Sequence, residues 1–445
     1  MQGHLNETLH LSNLIASYGI PVHFAGSKTH NQQARLRLHG WVSKNTRKIH
    51  FHDLQLPPFS LIPPKINADT NFPGHLQPLF DASTHLRQPV FQILLELSTK
   101  FQRIVIIHDT LMAYVVQDAK SIQNVEAYAF HSVSAFTIFF HIWDSIAEKP
   151  FQLDSDIPIT IPSNEGCFTP EFADFIVKQY KFLNFESGRL YNTCRQIEGR
   201  YMDLLEKLPT NANKKLFAIG PLNPVVTQRK NNESRHRCLE WLDKQKKDSV
   251  IYVSFGTSTS MTQDQISSLA DGLEKSGQRF LWILRSADRA ENLAEDESGR
   301  PLLPKGYENR IQNKGMVVQE WAPQLEILEH PSVGGFMSHC GWNSCMESIS
   351  MGVPIVAWPM HSDQPRNAVL VTDVLRIGVC VRNWSQRTEL VTSTAIENVV
   401  GKLMTSKEGE AVRKRASELG DIVRGSATEG SSRLEMDSFI AYITR

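Results

Sequence analysis

The segment from Trp321 to Gln364 constrains this chain most, because a buried strand, a glycine turn and a helix start follow one another without a gap. The run 334–338 (GGFMS) is short and apolar, as is typical of a strand inside a sheet. Residues 339–341 form the predicted turn, and a helix is predicted from residue 343. A strand that leads into a helix N-terminus directs free backbone N–H groups at one place, which suits an anion such as a diphosphate.

Three side chains add hydrogen-bond donors at this predicted anion site, namely those of His339, Asn343 and Ser344. Ser344 and Glu347 also have the spacing of a capping box, and taken alone that pattern more often marks a simple helix cap than a ligand site. A single His339 would equally suit a hydrogen-bonded structural histidine. The number of polar groups in one short segment favours the ligand site.

The segment resembles the plant secondary product glycosyltransferase box of the family 1 UDP-sugar glycosyltransferases. The resemblance rests on WAPQ, HCGWNS, the following Glu, GVP and the closing DQ. It implies an α/β fold with two Rossmann-like domains that face each other across a cleft, the GT-B arrangement. It also implies transfer of a sugar, with inversion, from a UDP-sugar to a small-molecule hydroxyl. UDP-glucose is then a donor substrate, and no cofactor or metal is expected.

The same resemblance assigns the nucleoside end of the donor to residues near the two ends of the box. Trp321 is expected to stack on the uracil ring, and the backbone of Ala322 and of the Gln324 region to contact its edge. Glu347 is expected to bind the ribose hydroxyls, a use that competes with a capping role.

The phosphates and the sugar would be held by the remaining matching residues. The residues expected at the phosphates are Thr257, His339, Asn343 and Ser344. Thr257 follows a glycine at a predicted strand end, and a plain turn hydroxyl is the alternative for it. Trp342, Asp363 and Gln364 are expected to meet the sugar hydroxyls. A closing Gln accompanies glucose in this family, so Gln364 favours UDP-glucose and leaves UDP-xylose open.

Attack by a hydroxyl on a sugar carbon requires a general base, and histidine titrates in the useful range. With 16 histidines, composition alone cannot select one. The family places its catalytic histidine in a GHL setting, which His4 matches, and pairs it with a carboxylate that Asp109 matches. Asp109 closes the predicted strand RIVIIHD. Its neighbour His108 should point to the other face of that strand.

Composition excludes several classes of protein. The 445 residues exceed one hydrophobic core and suit two domains, and 47 basic residues balance 47 acidic ones, so no nucleic-acid or membrane partner is expected. The six cysteines are scattered, which is typical of a reducing compartment. Residues 1–10 lack the features of a signal peptide, and no apolar run approaches roughly 20 residues. We expect a cytoplasmic monomer.

Alternating strand and helix patterns predict parallel sheets in two domains, residues 1–222 and 237–425, joined by a polar linker at 223–236. Residues 426–445 are expected to form a helix that returns to the first domain. Relatives have a strand before the GHL motif, whereas only residues 1–3 precede His4. The first strand of the N-terminal sheet is therefore expected to be missing, and a truncated gene model is the hypothesis for it.

Two metal-binding alternatives are weak. His339 with Cys340 and Cys345 lacks a second ligand pair at zinc spacing. The acidic pattern Asp154-Ser155-Asp156 resembles that of metal-dependent glycosyltransferases but has no neighbouring strand signal, so a solvated loop is expected.

Outside the box, the chain resembles the zeatin O-glucosyltransferase branch, in stretches such as GHLNETLHLSNLIASYGIPVHFAG and IVIIHDTLMAYVVQDA. This resemblance implies glucosylation of the side-chain hydroxyl of a cytokinin, with flavonoid or terpenoid acceptors as alternatives. The aromatic run 128–143 is a candidate acceptor wall, with ordinary core packing as its alternative. An epimerase-like enzyme and a UDP-sugar binder without catalysis remain two other classes.

Overall fold

The computed structural model of the chain describes residues 2–39, 48–60, 72–154, 157, 160–225, 235–257, 259, 261–285 and 303–445. Most of the predicted linker at 223–236 lies outside these residues, as do Ser155 and Asp156 of the acidic pattern. Among the described residues, no helix is both long and apolar enough to cross a membrane.

Strands and helices alternate along the described chain, as the sequence predicts. The strands are β1 Val22–Ser27, β2 Ile49–Leu54, β3 Ile104–Asp109, β4 Val125–His131, β5 Gly188–Tyr191, β6 Lys215–Ala218, β7 Val250–Ser254, β8 Arg279–Ile283, β9 Gly315–Val318, β10 Val333–Ser338, β11 Ile355–Ala357 and β12 Gly378–Cys380. The helices of the first half are α1 Gln2–Ser17, α2 Lys28–His39, α3 Gln77–Ser83, α4 Arg87–Ser98, α5 Ala113–Val116, α6 Ala135–Ser145, α7 Pro170–Tyr180 and α8 Arg195–Glu206. Those of the second half are α9 Arg237–Leu242, α10 Gln263–Lys275, α11 Tyr307–Ile311, α12 Gln324–Glu329, α13 Trp342–Ser350, α14 Gln364–Val369, α15 Ser393–Thr405, α16 Lys407–Thr428 and α17 Ser431–Ile443.

The C-terminal half contains one continuous parallel sheet with the order β12-β11-β10-β7-β8-β9. Its two central strands, β7 and β10, are buried along their whole length, which explains their uninterrupted apolar sequences. The chain proceeds from β7 in one direction and resumes at β10 on the other side of it. The carboxyl ends of β7 and β10 therefore flank a topological switch point, the usual place for a ligand in such sheets.

The strands described in the N-terminal half form two separate parallel sheets, β1-β2 and β3-β4-β5-β6. Strands β4 and β5 are largely buried, whereas five of the six residues of the apolar strand β3 are only half-buried. Helix α1 joins the two sheets: Leu5 and Leu9 pack with β1 and β2, and Leu11 and Ile15 pack against the second sheet.

The last helix packs on the N-terminal half. Helix α16 continues to Thr428, and α17 then begins at Ser431. Met436, Phe439 and Ile443 of α17 share a core cluster with Tyr128 and Phe217 of the second sheet. The Glu435 carboxylate accepts the backbone N–H of Ala218 at 2.6 Å, which fixes α17 along the edge strand β6.

Candidate functional site

The predicted anion site forms where β10 leads into α13. Cys340 adopts the left-handed conformation (φ 64°), and Gly341 is the N-cap of the helix without any side-chain cap. The capping-box interpretation of Ser344 and Glu347 is wrong, because the helix begins at Trp342 and leaves both residues inside it. The first backbone N–H groups of α13 thus lack a side-chain cap and face the switch point.

His339 is enclosed by two glycines that the sequence analysis did not single out. A Cβ atom added to Gly256 would lie 2.8 Å from His339 Nε2, and one added to Gly341 would lie 2.6 Å from it. Burial lowers the pKa of His339 to about 4, so the ring is neutral at physiological pH. It can therefore offer a phosphate one N–H donor but no charge. Thr257 follows Gly256 directly and is half-buried.

The expected ribose contact, Glu347, is part of a side-chain network. Its carboxylate accepts from Gln324 Nε2 at 2.7 Å and from Asn343 Nδ2 at 3.1 Å, and Gln324 Nε2 also reaches Ser344 Oγ at 3.0 Å. Burial raises the pKa of Glu347 to about 7, against the lowering effect of the Gln324 and Asn343 hydrogen bonds. The network orders the side chains that the resemblance assigns to ribose and phosphate.

The expected uracil platform lies open at the edge of this network. Trp321 is 64% exposed, an unusual state for a tryptophan, and its indole makes an edge contact with His236, at 6.4 Å between ring centroids. Ala322 next to it is half-buried. An exposed aromatic face beside ordered polar groups suits stacking of a planar base.

The three residues expected at the sugar have side chains that are already bonded within the protein. Trp342 is 2% exposed and donates its indole N–H to Asn192 O at 2.8 Å, so only its backbone can face a sugar. Asp363 accepts from Asn367 Nδ2 at 2.6 Å, and burial raises its pKa. The amide oxygen of Gln364 accepts hydrogen bonds from backbone N–H groups of its own loop.

The two residues expected to carry the chemistry meet across 105 positions of sequence. His4 Nδ1 lies 2.6 Å from Asp109 Oδ2, and Leu111 N donates to the other carboxylate oxygen at 2.8 Å. Burial acts to raise the pKa of Asp109, but the opposing His4 charge and these hydrogen bonds hold it below its ordinary value. Because the Nδ1–H group of neutral His4 donates to Asp109, its Nε2 is the acceptor nitrogen, and Ser132 Oγ lies 3.4 Å from it.

Ser132 is a site residue that the sequence analysis missed. Its Oγ lies 2.8 Å from His4 Nδ1 and 3.4 Å from Asp109 Oδ2. It directly follows β4, the neighbour of β3, and that position at a strand end was the available signal. His108, by contrast, lies behind the sheet beside Glu186 at 3.4 Å, as its place on the strand predicts.

The His4–Asp109 pair and the anion site adjoin each other. A Cβ atom on Gly3 would lie 3.7 Å from the Cβ of Asn343, so the start of α1 abuts the start of α13. The described residues, which leave out Ser155 and Asp156, contain no cluster of three or more histidine, cysteine or acidic side chains that could bind an ion. Asp154 is exposed and pairs with Arg200 at 2.9 Å.

Family profiles match both halves of the chain. Residues 1–224 match the family described as "Glycosyltransferase, N-terminal domain", and residues 225–410 match "UDP-glucoronosyl and UDP-glucosyl transferase". The chain is 51% identical to zeatin O-glucosyltransferase of Phaseolus lunatus, over all of this chain and 95% of the relative. It is 49% identical to zeatin O-xylosyltransferase of Phaseolus vulgaris, over all of this chain and 96% of that relative.

Solved structures match the whole architecture. A UDP complex of a Siraitia grosvenorii UGT superposes with a TM-score of 0.77 at 27% identity and covers all of this chain and 98% of its own. Phytolacca americana UGT2, complexed with UDP-2-fluoro-glucose and pterostilbene, gives a TM-score of 0.79 at 24% identity over the same shares of the two chains.

Proposed function

Since this chain belongs to the family of UDP-sugar glycosyltransferases, we propose that it transfers glucose from UDP-glucose to the side-chain hydroxyl of zeatin. The observation that carries the proposal is the His4–Asp109 pair, 2.6 Å apart, beside the uncapped start of α13. The pair supplies a base for a hydroxyl, and the helix start supplies an anion site for the leaving diphosphate.

Each catalytic residue has one task in this mechanism. Asp109 fixes the His4 ring and stabilises the imidazolium that forms. Nε2 of His4 removes the proton from the acceptor hydroxyl while the oxygen attacks the anomeric carbon from the side opposite UDP. The carbon–phosphate oxygen bond breaks, UDP leaves, and the product is the inverted β-glycoside. The backbone start of α13 and the neutral His339 ring donate hydrogen bonds to the departing diphosphate.

The donor is bound, in this proposal, by residues of the box at 321–364 together with Thr257. Trp321 stacks on uracil, Glu347 accepts from the ribose hydroxyls, and Asp363 accepts from the sugar. Ala322, Gln324, Thr257 and Gln364 complete the site. UDP-xylose is the second donor candidate, because one relative at 49% identity is a xylosyltransferase. The six cysteines are unpaired, which supports a cytoplasmic location, and we expect a monomer that needs no cofactor.

The test is sugar transfer to trans-zeatin and cis-zeatin by the purified chain. UDP-glucose and UDP-xylose are offered separately, and the products are identified by mass spectrometry. We expect zeatin plus one hexose, and loss of that product in His4→Ala. Binding of UDP without turnover on any hydroxylated acceptor would instead identify a non-catalytic binder. A pentose product would change the donor and leave the rest of the proposal in place.

A further inference from the structure

The loop after β11 connects the expected sugar site with the N-terminal half. It carries His361 and Ser362 immediately before Asp363. Ser362 has a left-handed backbone (φ 58°), and its N–H donates to Cys167 O at 2.8 Å in the segment before α7. The loop is thereby held against both halves of the molecule, and the side chain of His361 is 4% exposed.

The hydrogen bonds around Gln364 fix the orientation of its amide. The amide oxygen accepts the backbone N–H of Met360 at 2.9 Å and that of His361 at 3.0 Å. Because two N–H donors point at this atom, it must be the oxygen, and the opposite end of the amide is the NH2 group. That NH2 group lies 3.3 Å from His361 Nδ1.

This orientation in turn fixes the tautomer of His361. An amide NH2 can only donate, so Nδ1 accepts from it, and Ser362 Oγ at 2.7 Å can donate its hydroxyl to the same nitrogen. Burial lowers the pKa of His361 to about 3, so the ring is neutral. A neutral ring that accepts at Nδ1 carries its proton on Nε2.

The Nε2–H group of His361 has no hydrogen-bond partner among the described residues, although the atom is buried. Buried donors of this kind are rare in folded proteins, because an unmade hydrogen bond is costly. The other nitrogen of the same ring is held by two neighbours, so the ring is fixed rather than loosely placed. A fixed, buried and unpaired N–H group next to a substrate site indicates an acceptor atom supplied from outside the protein.

The aromatic residues packed against the His361 ring belong to the N-terminal half. Phe72 meets the His361 ring edge-on, with centroids 5.7 Å apart, and itself contacts Phe168 and Phe172. Leu111, whose N–H holds Asp109, packs against the same aromatic cluster. The cluster thus extends from His361 to the segment that positions the catalytic carboxylate.

We infer that His361 is a specificity residue for the acceptor substrate: its Nε2–H donates to a lone-pair atom of a flat heteroaromatic ring held against the Phe72 cluster. This inference rests on the proposed function, in which that atom is a ring nitrogen of the zeatin purine. One loop then serves both substrates, with His361 on the acceptor and Asp363 on the sugar. A site with a buried donor discriminates strongly against a ligand that cannot pair it.

The test compares His361→Phe with His361→Gln in the full chain. Phe keeps a planar ring without a donor, and Gln can return an N–H group to the region of Nε2. The acceptors are trans-zeatin and cinnamyl alcohol, which has an allylic hydroxyl and an aromatic ring but no ring nitrogen. We expect His361→Phe to lower the preference for zeatin, as a ratio of kcat/KM values, about tenfold or more. The loss should appear in the KM of zeatin, and His361→Gln should recover part of it.

Several results would overturn the inference. A rise in the KM of UDP-glucose with an unchanged KM of zeatin would assign the N–H group to the donor sugar. An unchanged preference in a folded His361→Phe variant would mean that it binds nothing in the acceptor. His85→Phe, at an exposed histidine of the 84–86 turn, is the control and should keep the preference.

Folding and the proposed function are checked separately. His361→Phe removes the unpaired Nε2–H donor but also the Nδ1 acceptor of Gln364 and Ser362, so thermal melting must show that the variant is folded before its kinetics are compared. If the wild type transfers sugar to no acceptor, the proposed function fails, but calorimetric binding of trans-zeatin still reports on His361. Weaker zeatin binding in His361→Phe then supports the inference, and absence of binding to the wild type overturns it as well.

Discussion

The two halves of the molecule reach the cleft by different constructions. The C-terminal half presents its residues from one continuous sheet whose central strands β7 and β10 are fully buried. The N-terminal half presents His4 and Asp109 from a helix and a strand that border a break between two sheets. The donor site is therefore built on one continuous sheet, whereas the His4–Asp109 pair depends on α1 to join two separate ones.

The largest expected effect comes from a substitution that lowers the rate of sugar transfer and leaves the donor site intact. Asp109→Asn can donate where the carboxylate accepted, so it favours the wrong His4 tautomer, and kcat should fall about 100- to 10,000-fold. UDP affinity by calorimetry should change less than about twofold, because the C-terminal half binds it. Asp154→Asn, at an exposed carboxylate, should leave both quantities unchanged. A comparable loss of UDP affinity would show that the two halves do not act separately.

A second substitution addresses the donor half alone. Gly256→Ala places a methyl group 2.8 Å from His339 Nε2 and strains a backbone with φ +75°. We expect the KM for UDP-glucose to rise about tenfold or more, since the loss of one phosphate donor costs about 1.5–3 kcal/mol. Gly277→Ala is the matched control, because its φ is +67° and no atom lies within 4 Å of the added carbon. Equal effects on the KM in the two variants would contradict the role given to His339.

Amide hydrogen exchange measures how easily the strands of the two halves open locally. Amides of β1 and β3, which flank the break, should exchange about tenfold faster than those of β7 and β10, because half-buried strands open locally at lower free energy. Mass spectrometry of peptides from the four strands gives the rates. Equal protection of β3 and β7 would mean that the break does not weaken the N-terminal half.

The smallest expected effect concerns one buried carboxyl group in each half. Burial raises the pKa of both Glu198 and Glu347 to about 7. The folded protein therefore binds more protons than the unfolded chain between the model values of 4.5 and about 7, so stability falls as the pH rises through that window. Glu198→Gln and Glu347→Gln should each flatten this dependence in thermal melting. Only Glu347→Gln should also remove a rise in UDP affinity, of about two- to fivefold, between pH 6 and pH 8.

Local signals predicted much of the donor half. The apolar run 334–338 matches β10, all six residues of which are buried. Such features depend on neighbours in sequence.

Contacts between distant residues could not be predicted in this way. The bond from the Trp342 indole to Asn192 spans 150 positions, so the motif alone could not show that this side chain joins the two halves. The aromatic run 128–143 was a candidate acceptor wall, but Phe136 and Phe139 have no exposed surface and lie in the core. The aromatic cluster next to the His4–Asp109 pair comes instead from residues 72–80 and 168–176, which have no joint pattern in the sequence.

The return of α17 to the N-terminal sheet fixes an order of events in biosynthesis. Tyr128 and Phe217 are covered by Phe439, which the ribosome adds only after the whole donor sheet. While the chain grows, this apolar face of the N-terminal half is exposed. Other apolar surfaces or chaperones can bind it during that time. The N-terminal half is thus synthesised first but completes its folding last.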